Sequence, residues 1–368
     1  MPDYYIGLIS GTSMDGIDAV LVQFGESPFQ MMATASLPYP PDLRAELMAV
    51  IRQPQSCTVD VMGRLDHWTG ECFREAALKL LSESGIDANQ VRAVGSHGQT
   101  VRHRPDESRP FTIQIGNPNI IAKGTGIPCV ADFRGADIAL GGQGAPLVPP
   151  FHEWLFRSEA VDRCIVNIGG IANVTVLPRG NGEIRGFDTG PGNTLLDSWA
   201  RRHLDIAYDE SGKWAAEGYC DDALLSGMLA DPYFGKTPPK STGFEYFNEE
   251  WLTAHGVDNH DPAGVQATLC ELTAQTIATA IDSIATGTQE VLVCGGGVHN
   301  TELVRRLSAN LPAALVDSTA EYGLDPDWVE ACAFAWLAMR ALDSLPGNAP
   351  GATGASRPAI LGAIHPAD

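Results

Sequence analysis

The chain has 368 residues, more than the roughly 250 to 300 that one hydrophobic core usually supports, so two domains are expected. Its 44% hydrophobic and 19% charged residues, at a mean hydropathy of -0.05, supply apolar material for two packed cores without a disordered bias. A net charge of -21 and a pI near 4.7 exclude a general nucleic-acid binder, because such a surface repels a phosphate backbone at long range.

The first predicted element is YYIGLISGTSMDGIDAVLVQF, two apolar runs around a polar, turn-rich GTSMDG, which reads as a β-hairpin. Helical spacing follows from Pro41 to about Ile51 and again from Val59 to Ser84. VRAVGSHGQTVRH then predicts a short buried strand ending at Gly-Ser-His-Gly, followed by the β-rich FTIQIG and IPCVADF. From Asp162 the pattern starts again: DRCIVNIGGIANVTVLP is a second strand, glycine turn and strand, a weak internal repeat. An amphipathic helix is expected over Gly264 to Ala285, a strand and glycine turn in TQEVLVCGGGVHN, a helix from about Thr301 and a closing helix in ACAFAWLAMRAL. The Pro-, Gly- and Ala-rich tail from Leu345 is expected to be irregular.

Two similar hairpin units followed by helices and strands predict two related α/β lobes with a ligand cleft between them. The expected division is residues 1–130 plus 333–368 for the first lobe and 131–332 for the second, with the last helix returning to the first lobe.

Eight cysteines are scattered without a CxxC pair, several inside apolar runs, so buried free thiols are expected and a zinc site is not. The N-terminus shows no charged and apolar leader pattern, and no stretch is long and apolar enough for a bilayer span. A cytoplasmic location without membrane partners is the expectation by elimination.

Four motifs carry chemistry. In Gly11-Thr12-Ser13-Met14-Asp15-Gly16-Ile17-Asp18 the glycines permit close backbone approach, the hydroxyls donate, and Asp15 and Asp18 are positioned to hold Mg²⁺ through water. A well-capped turn has the same composition, and the residues alone leave both readings open. Asn167, Gly169 and Gly170 form a second strand-end turn, either the opposing jaw of a phosphate clamp or a β-bulge. Gly295, Gly296 and Gly297 follow a buried strand; they admit a flat adenine or reflect tight packing. Asp188, between glycines in GFDTGPGN, is presented as a general base would be, while an ordinary Asp-containing turn is the alternative. The segments GSHGQT and ADFRGADIALGGQGAP place Ser, His, Gln and Arg at strand ends, as polar substrate sites do. His97 by itself reads better as a structural histidine than as a base, and no hydrolase motif is present.

The order of hairpin, second hairpin and late GGG resembles the phosphate-1, phosphate-2 and adenosine motifs of the actin/hexokinase/Hsp70 superfamily, two actin-like ATPase (ribonuclease H-like) lobes around a nucleotide and sugar cleft. The segments GTSMDGID, GSHGQT, ADFRGADIALGGQGAPLVP, NIGGIANV, GFDTGPGN, PKSTGFEYFN and CGGGVHN, which span nearly the whole chain, resemble the anhydro-N-acetylmuramic acid kinases. That resemblance implies an ATP- and Mg²⁺-dependent reaction of peptidoglycan recycling: the anhydro sugar, ATP and water give N-acetylmuramic acid 6-phosphate and ADP. It implies Asp188 as the water-activating base and Gly11 to Asp18 around the ATP phosphates. Asn167, Gly169 and Gly170 would face them, and Gly295 to Gly297 would lie near adenosine. Ser96, His97, Gln99 and Glu330 would contact the sugar, and a homodimer is the family's usual state. Two other readings stay open: a conventional N-acetylhexosamine or hexose kinase, and a non-catalytic actin-like nucleotide-binding protein.

Overall fold

The computed structural model describes residues 3–11, 14–25 and 29–368. Thr12 and Ser13 of the first motif lie outside the described residues. The chain divides into two compact units, Met1–Phe151 with Trp328–Asp368, and His152–Asp327.

The first unit opens with β1 (Asp3–Ser10), β2 (Gly16–Phe24) and β3 (Gln30–Pro38), an antiparallel meander. Two helices follow, α1 (Pro41–Arg52) and α2 (Val59–Ser84), then β4 (Val91–Arg104), β5 (Phe111–Ile115), α3 (Pro118–Thr125), β6 (Cys129–Ala131) and α4 (Gly135–Ala139). α2 starts where the Thr58 hydroxyl accepts the Val61 N–H and stops at Gly85, which takes the left-handed φ of 69° that a helix C-cap favours. Its apolar stripe, Phe73, Ala76 and Leu80, packs with Leu8, Ile17 and Leu21 of the meander. β4 pairs parallel with β1 and with β6, so the central strands are buried on both faces and read as continuous apolar runs.

The second unit begins within α5 (Pro149–Phe156) and repeats the plan. β7 (Arg163–Ile168), β8 (Ile171–Leu177) and β9 (Arg185–Pro191) form an antiparallel meander. Next come α6 (Thr194–Leu204), α7 (Lys213–Glu217), α8 (Asp222–Leu229), α9 (Glu249–Ala254) and α10 (Pro262–Ile284), then β10 (Glu290–Cys294), α11 (Thr301–Asn310) and β11 (Leu315–Ser318). β10 joins β7 in parallel and β11 joins β10, giving the order β11-β10-β7-β8-β9. A three-strand meander continued by parallel strands from its first member is the ribonuclease H-like arrangement, and both units have it. α10 is the spine of the second core, setting Leu269 and Ile277 among Val166, Val174, Phe187, Trp199 and Leu303.

The chain then returns to the first unit through α12 (Val329–Leu342), α13 (Pro350–Thr353) and β12 (Ala363–His365). α12 lies directly on the sheet: a Cβ at Gly7 would sit 1.9 Å from Ala331 O, and one at Gly95 2.0 Å from Phe334 O. Only glycine allows that approach of helix to strand.

Three expectations differ from the structure. β4 does not end at Gly98; it bulges there, with Leu8 opposite Ser96 but Ser10 opposite Gln99, and runs on to pair β5. The tail is not irregular throughout, since β12 pairs β6 and α13 carries Thr353, whose hydroxyl meets the buried Asp137. The units part at 151/152 and 327/328, against the expected 130/131 and 332/333. β6 sits inside the first sheet and α4 is tied to the tail, which keeps the chain in the first unit beyond 130. The cysteines are free, and no described helix is long and apolar enough to cross a membrane.

Candidate active site

In the first unit Met14 and Asp15, just before β2, are held by α1. Met14 takes a φ of 52° while its side chain is buried, a conformation that needs support in a non-glycine residue. Arg44 on α1 supplies it, donating from Nε to Met14 O at 3.0 Å and from Nη2 to Asp15 Oδ1 at 3.1 Å. Gly16 is glycine because a Cβ there would meet Leu37 O of β3 at 2.5 Å. Ile17 points into the core, and Asp18 accepts from the Ser36 hydroxyl at 2.7 Å. Gly11 is exposed, and a Cβ there would meet nothing within 4 Å.

The four residues expected on the sugar all lie in this unit. Gln99 is buried, with Oε1 accepting from Ser10 Oγ at 2.7 Å and Nε2 donating to Gly11 O at 3.4 Å, so its amide links β4 to the hairpin end. His97 Nε2 accepts from Arg134 Nε at 3.1 Å, which leaves the proton on Nδ1 to donate to Gly98 O at 2.9 Å. Burial and the Arg134 guanidinium hold its pKa well below the usual histidine value, so His97 is neutral. Ser96 Oγ is buried without a hydrogen-bond partner among the described residues. Glu330 stands one helical turn before Phe334, whose ring lies 4.6 Å from that of His97. Arg134 and Gly144 O, 2.8 Å apart, complete the cluster; their loop was legible as polar, but the pairing with His97 was not.

In the second unit the two glycine turns meet. A Cβ on Gly295, whose φ is 77°, would lie 2.2 Å from Asn167 Oδ1, and one on Gly297 2.3 Å from Ile168 Cγ2. Gly169 O and Gly170 O receive the N–H groups of Asn193 and Gly192, at 2.8 and 2.9 Å, fixing the turn against the start of α6. Asn167 Oδ1 is buried and has no hydrogen-bond partner among the described residues. A cavity of about 300 Å³ opens beside Gly296, lined by Asn193, Leu196, Tyr208, Asp209 and Asn300. An orphaned buried acceptor and a side-chain-free wall beside a cavity suit a nucleotide.

Asp188 lies on β9, the sheet's edge strand. The segment after α8 wraps that edge: Asp188 N donates to Lys240 O at 3.2 Å, and Thr242 N donates to Asp188 Oδ2 at 3.0 Å. Tyr233 Oη donates to Asp188 O at 2.7 Å. Burial, then Lys236, lowers the Lys240 pKa, and Asp188 opposes that shift. Burial, then Asp188, pushes the Tyr233 phenol up. Lys240 and Thr242 belong to PKSTGF, whose composition carries no chemical signal of its own, and Tyr233 precedes that motif by six residues.

A divalent cation would find few inner ligands here. Asp15 is engaged by Arg44 and Asp18 by Ser36, and no group of three or more His, Cys, Asp or Glu side chains converges among the described residues. Two such carboxylates suit a hydrated ion and not a bare one.

Ribonuclease H-like units, one with glycine turns at a cavity and a carboxylate at a sheet edge, suit an ATP-dependent sugar kinase, and the family match shows that class. The model of the anhydro-N-acetylmuramic acid kinase family matches residues 3–367, and the chain belongs to that family. The anhydro-N-acetylmuramic acid kinase of Xanthomonas axonopodis pv. citri is 50% identical over 367 residues, covering 99% of this chain and 98% of its own. That of Coxiella burnetii is 49% identical over 363 residues, covering 98% of this chain and 97% of its own.

Proposed function

We propose that this chain uses ATP and water to convert 1,6-anhydro-N-acetylmuramic acid into N-acetylmuramic acid 6-phosphate and ADP, in the cytoplasmic recycling of peptidoglycan, as a homodimer. The observation that carries the reading is the Asp188 carboxylate, fixed at a sheet edge by the Thr242 N–H, in a chain that matches the family along its length.

Asp188 takes a proton from water as the water oxygen bonds to the anomeric carbon. The bond from that carbon to O6 breaks, and O6 bonds to the γ-phosphorus as the bond to the β-phosphate oxygen breaks. Positive charge grows at the anomeric carbon as O6 leaves, so water needs only modest activation and a carboxylate suffices. Phosphoryl transfer itself calls chiefly for positioning and charge stabilisation.

Gly11 to Asp18 hold the phosphates with backbone N–H groups, Arg44 holding Met14 and Asp15 in place. Asn167, Gly169 and Gly170 form a second phosphate wall, and Gly295 to Gly297 with the adjoining cavity take adenosine. Mg²⁺, when bound, neutralises phosphate charge; Asp15 and Asp18 would hold it through water. Ser96, His97 and Glu330 bind the sugar, and Gln99 sets the strand end from which Ser96 and His97 project.

A coupled ADP-release assay tests the reading. ADP should form with the anhydro sugar and not with free N-acetylmuramic acid, and ¹⁸O from water should appear on the anomeric hydroxyl of rapidly trapped product. ADP formed only with the free sugar would replace this reaction with a conventional kinase.

A further inference from the structure

A second cavity, of about 460 Å³, lies in the second unit against β9. Phe187, Thr189, Phe234, Thr276 and Ala280 line its floor. The floor hydroxyls are already satisfied, Thr189 Oγ1 donating to Ala172 O at 3.2 Å and Thr276 Oγ1 to Thr273 O at 3.1 Å. The floor therefore asks for apolar contact.

The rim is cationic. The chain's lysines are Lys79, Lys123, Lys213, Lys236 and Lys240. Lys79 and Lys213 pair with Glu83 and Glu210, and Lys123 meets the C-terminal Asp368. Lys236 and Lys240 both line this cavity, and neither has an ion-pair partner among the described residues. No carboxylate lines the cavity, in a chain of net charge -21. Lys240 stands over the Tyr233 and Phe187 rings, at 4.6 and 5.7 Å from their centroids, which keeps its half-buried ammonium at the mouth.

We infer that this cavity is a second ligand site, for a small amphipathic anion: an apolar body in the floor and one carboxylate or phosphate between Lys236 and Lys240. Such a ligand gives the unpaired lysines a charged partner and covers the apolar floor, two demands that neither an uncharged sugar nor a bare inorganic anion meets together.

The site is wired to Asp188. Lys240 Nζ donates to Tyr233 O at 3.3 Å, Tyr233 Oη donates to Asp188 O, and Lys240 O receives the Asp188 N–H. An anion that draws Lys240 moves both supports of the Asp188 backbone, so occupancy changes turnover. Binding stands independently of the proposed reaction; only this coupling rests on it.

The test uses 8-anilinonaphthalene-1-sulfonate, an apolar ring system with one anionic group, and the intact chain. Fluorescence titration should show one saturable site. Lys236→Gln and Lys240→Gln should each weaken it about tenfold, and Ala280→Trp should abolish it by filling the floor. Ser283→Trp, on the exposed rim, serves the same end if Ala280→Trp fails to fold. Emission unchanged by the tryptophan variants, or displacement of the probe by ATP or by the sugar, overturns the second site. At saturating substrates the probe should shift wild-type kcat about twofold or more and leave Ser283→Trp unaffected; an unshifted wild-type kcat overturns the coupling alone.

Discussion

Thr242 N donates to Asp188 Oδ2 at 3.0 Å, and Asp188's own N–H donates to Lys240 O, so one short segment fixes both the backbone and the carboxylate of this residue. An edge strand exposes unpaired backbone groups, and here a loop occupies that edge beside Asp188. The base role is proposed for this carboxylate.

Asp188→Asn keeps size and shape, and its side-chain oxygen still accepts from Thr242, but it removes the basic oxygen. Turnover should fall by roughly 10² to 10⁴-fold, while nucleotide affinity measured by calorimetry stays near wild type. Near-normal turnover would move the base elsewhere and leave the kinase class standing.

The glycine turn of the second unit separates folding from binding. Gly295→Ala places a Cβ 2.2 Å from Asn167 Oδ1 at a positive φ, and should cost roughly 1 to 3 kcal/mol together with nucleotide affinity. Gly296→Ala meets nothing within 4 Å and yet lines the cavity, so it should melt like wild type but bind ATP more weakly. Equal ATP affinity for Gly296→Ala and wild type would remove this turn from the adenosine site.

Much of the frame was legible because it is local. Strand, glycine turn and strand are contiguous in ISGTSMDGID and in NIGGIAN, and both form hairpins, with Gly16 pressed against Leu37 O while Gly11 is open. What escaped is held by pairs distant in sequence. Asp137 accepts from Asn348 and Thr353, far along the chain in a tail whose Pro and Gly content suggested irregularity. Nor does periodicity show that β4 continues beyond the Gly98 bulge, since Gly-Ser-His-Gly carries the composition of a strand end. That Lys236 and Lys240 have no ion pair among the described residues is equally a property of the fold and not of their motif.

Asp137 tests that distant anchoring. It is fully buried, and its carboxylate receives Asn348 Nδ2, Thr353 Oγ1 and Gly144 N at 2.7, 2.7 and 2.8 Å. Asp137→Ala strands three donors and should destabilise the chain by roughly 2 to 5 kcal/mol. Thr353→Val removes one donor and should cost roughly 1 kcal/mol. Because Gly144 O also receives Arg134, the partner of His97, Thr353→Val should raise the sugar KM more than it lowers kcat. An unchanged KM beside a lowered melting temperature would make Asp137 purely structural.

The last prediction concerns acid stability. Burial first, then Arg134, lowers the pKa of His97 well below 6.5 and that of His103 to about 4, and burial lowers His152 to about 3. All three are neutral in the folded chain down to those values, whereas in the unfolded chain each takes a proton near 6.5. Below that pH the unfolded state binds more protons, so stability rises with pH and is lost as pH falls from about 6.5 toward 4. Each such histidine contributes a slope of about 1.4 kcal/mol per pH unit in that window. Carboxylates held in the folded state act with the same sign at lower pH, so the wild-type slope alone assigns nothing. The comparison that does is His103→Gln against wild type in urea denaturation at pH 7, 6 and 5: Gln can still bond Thr112, the present partner at 3.1 Å, but takes up no proton. Its stability should fall less steeply by one proton's share, closing on or crossing the wild-type curve near pH 5. Two parallel curves would mean that His103 titrates in the folded chain as it does in the unfolded one.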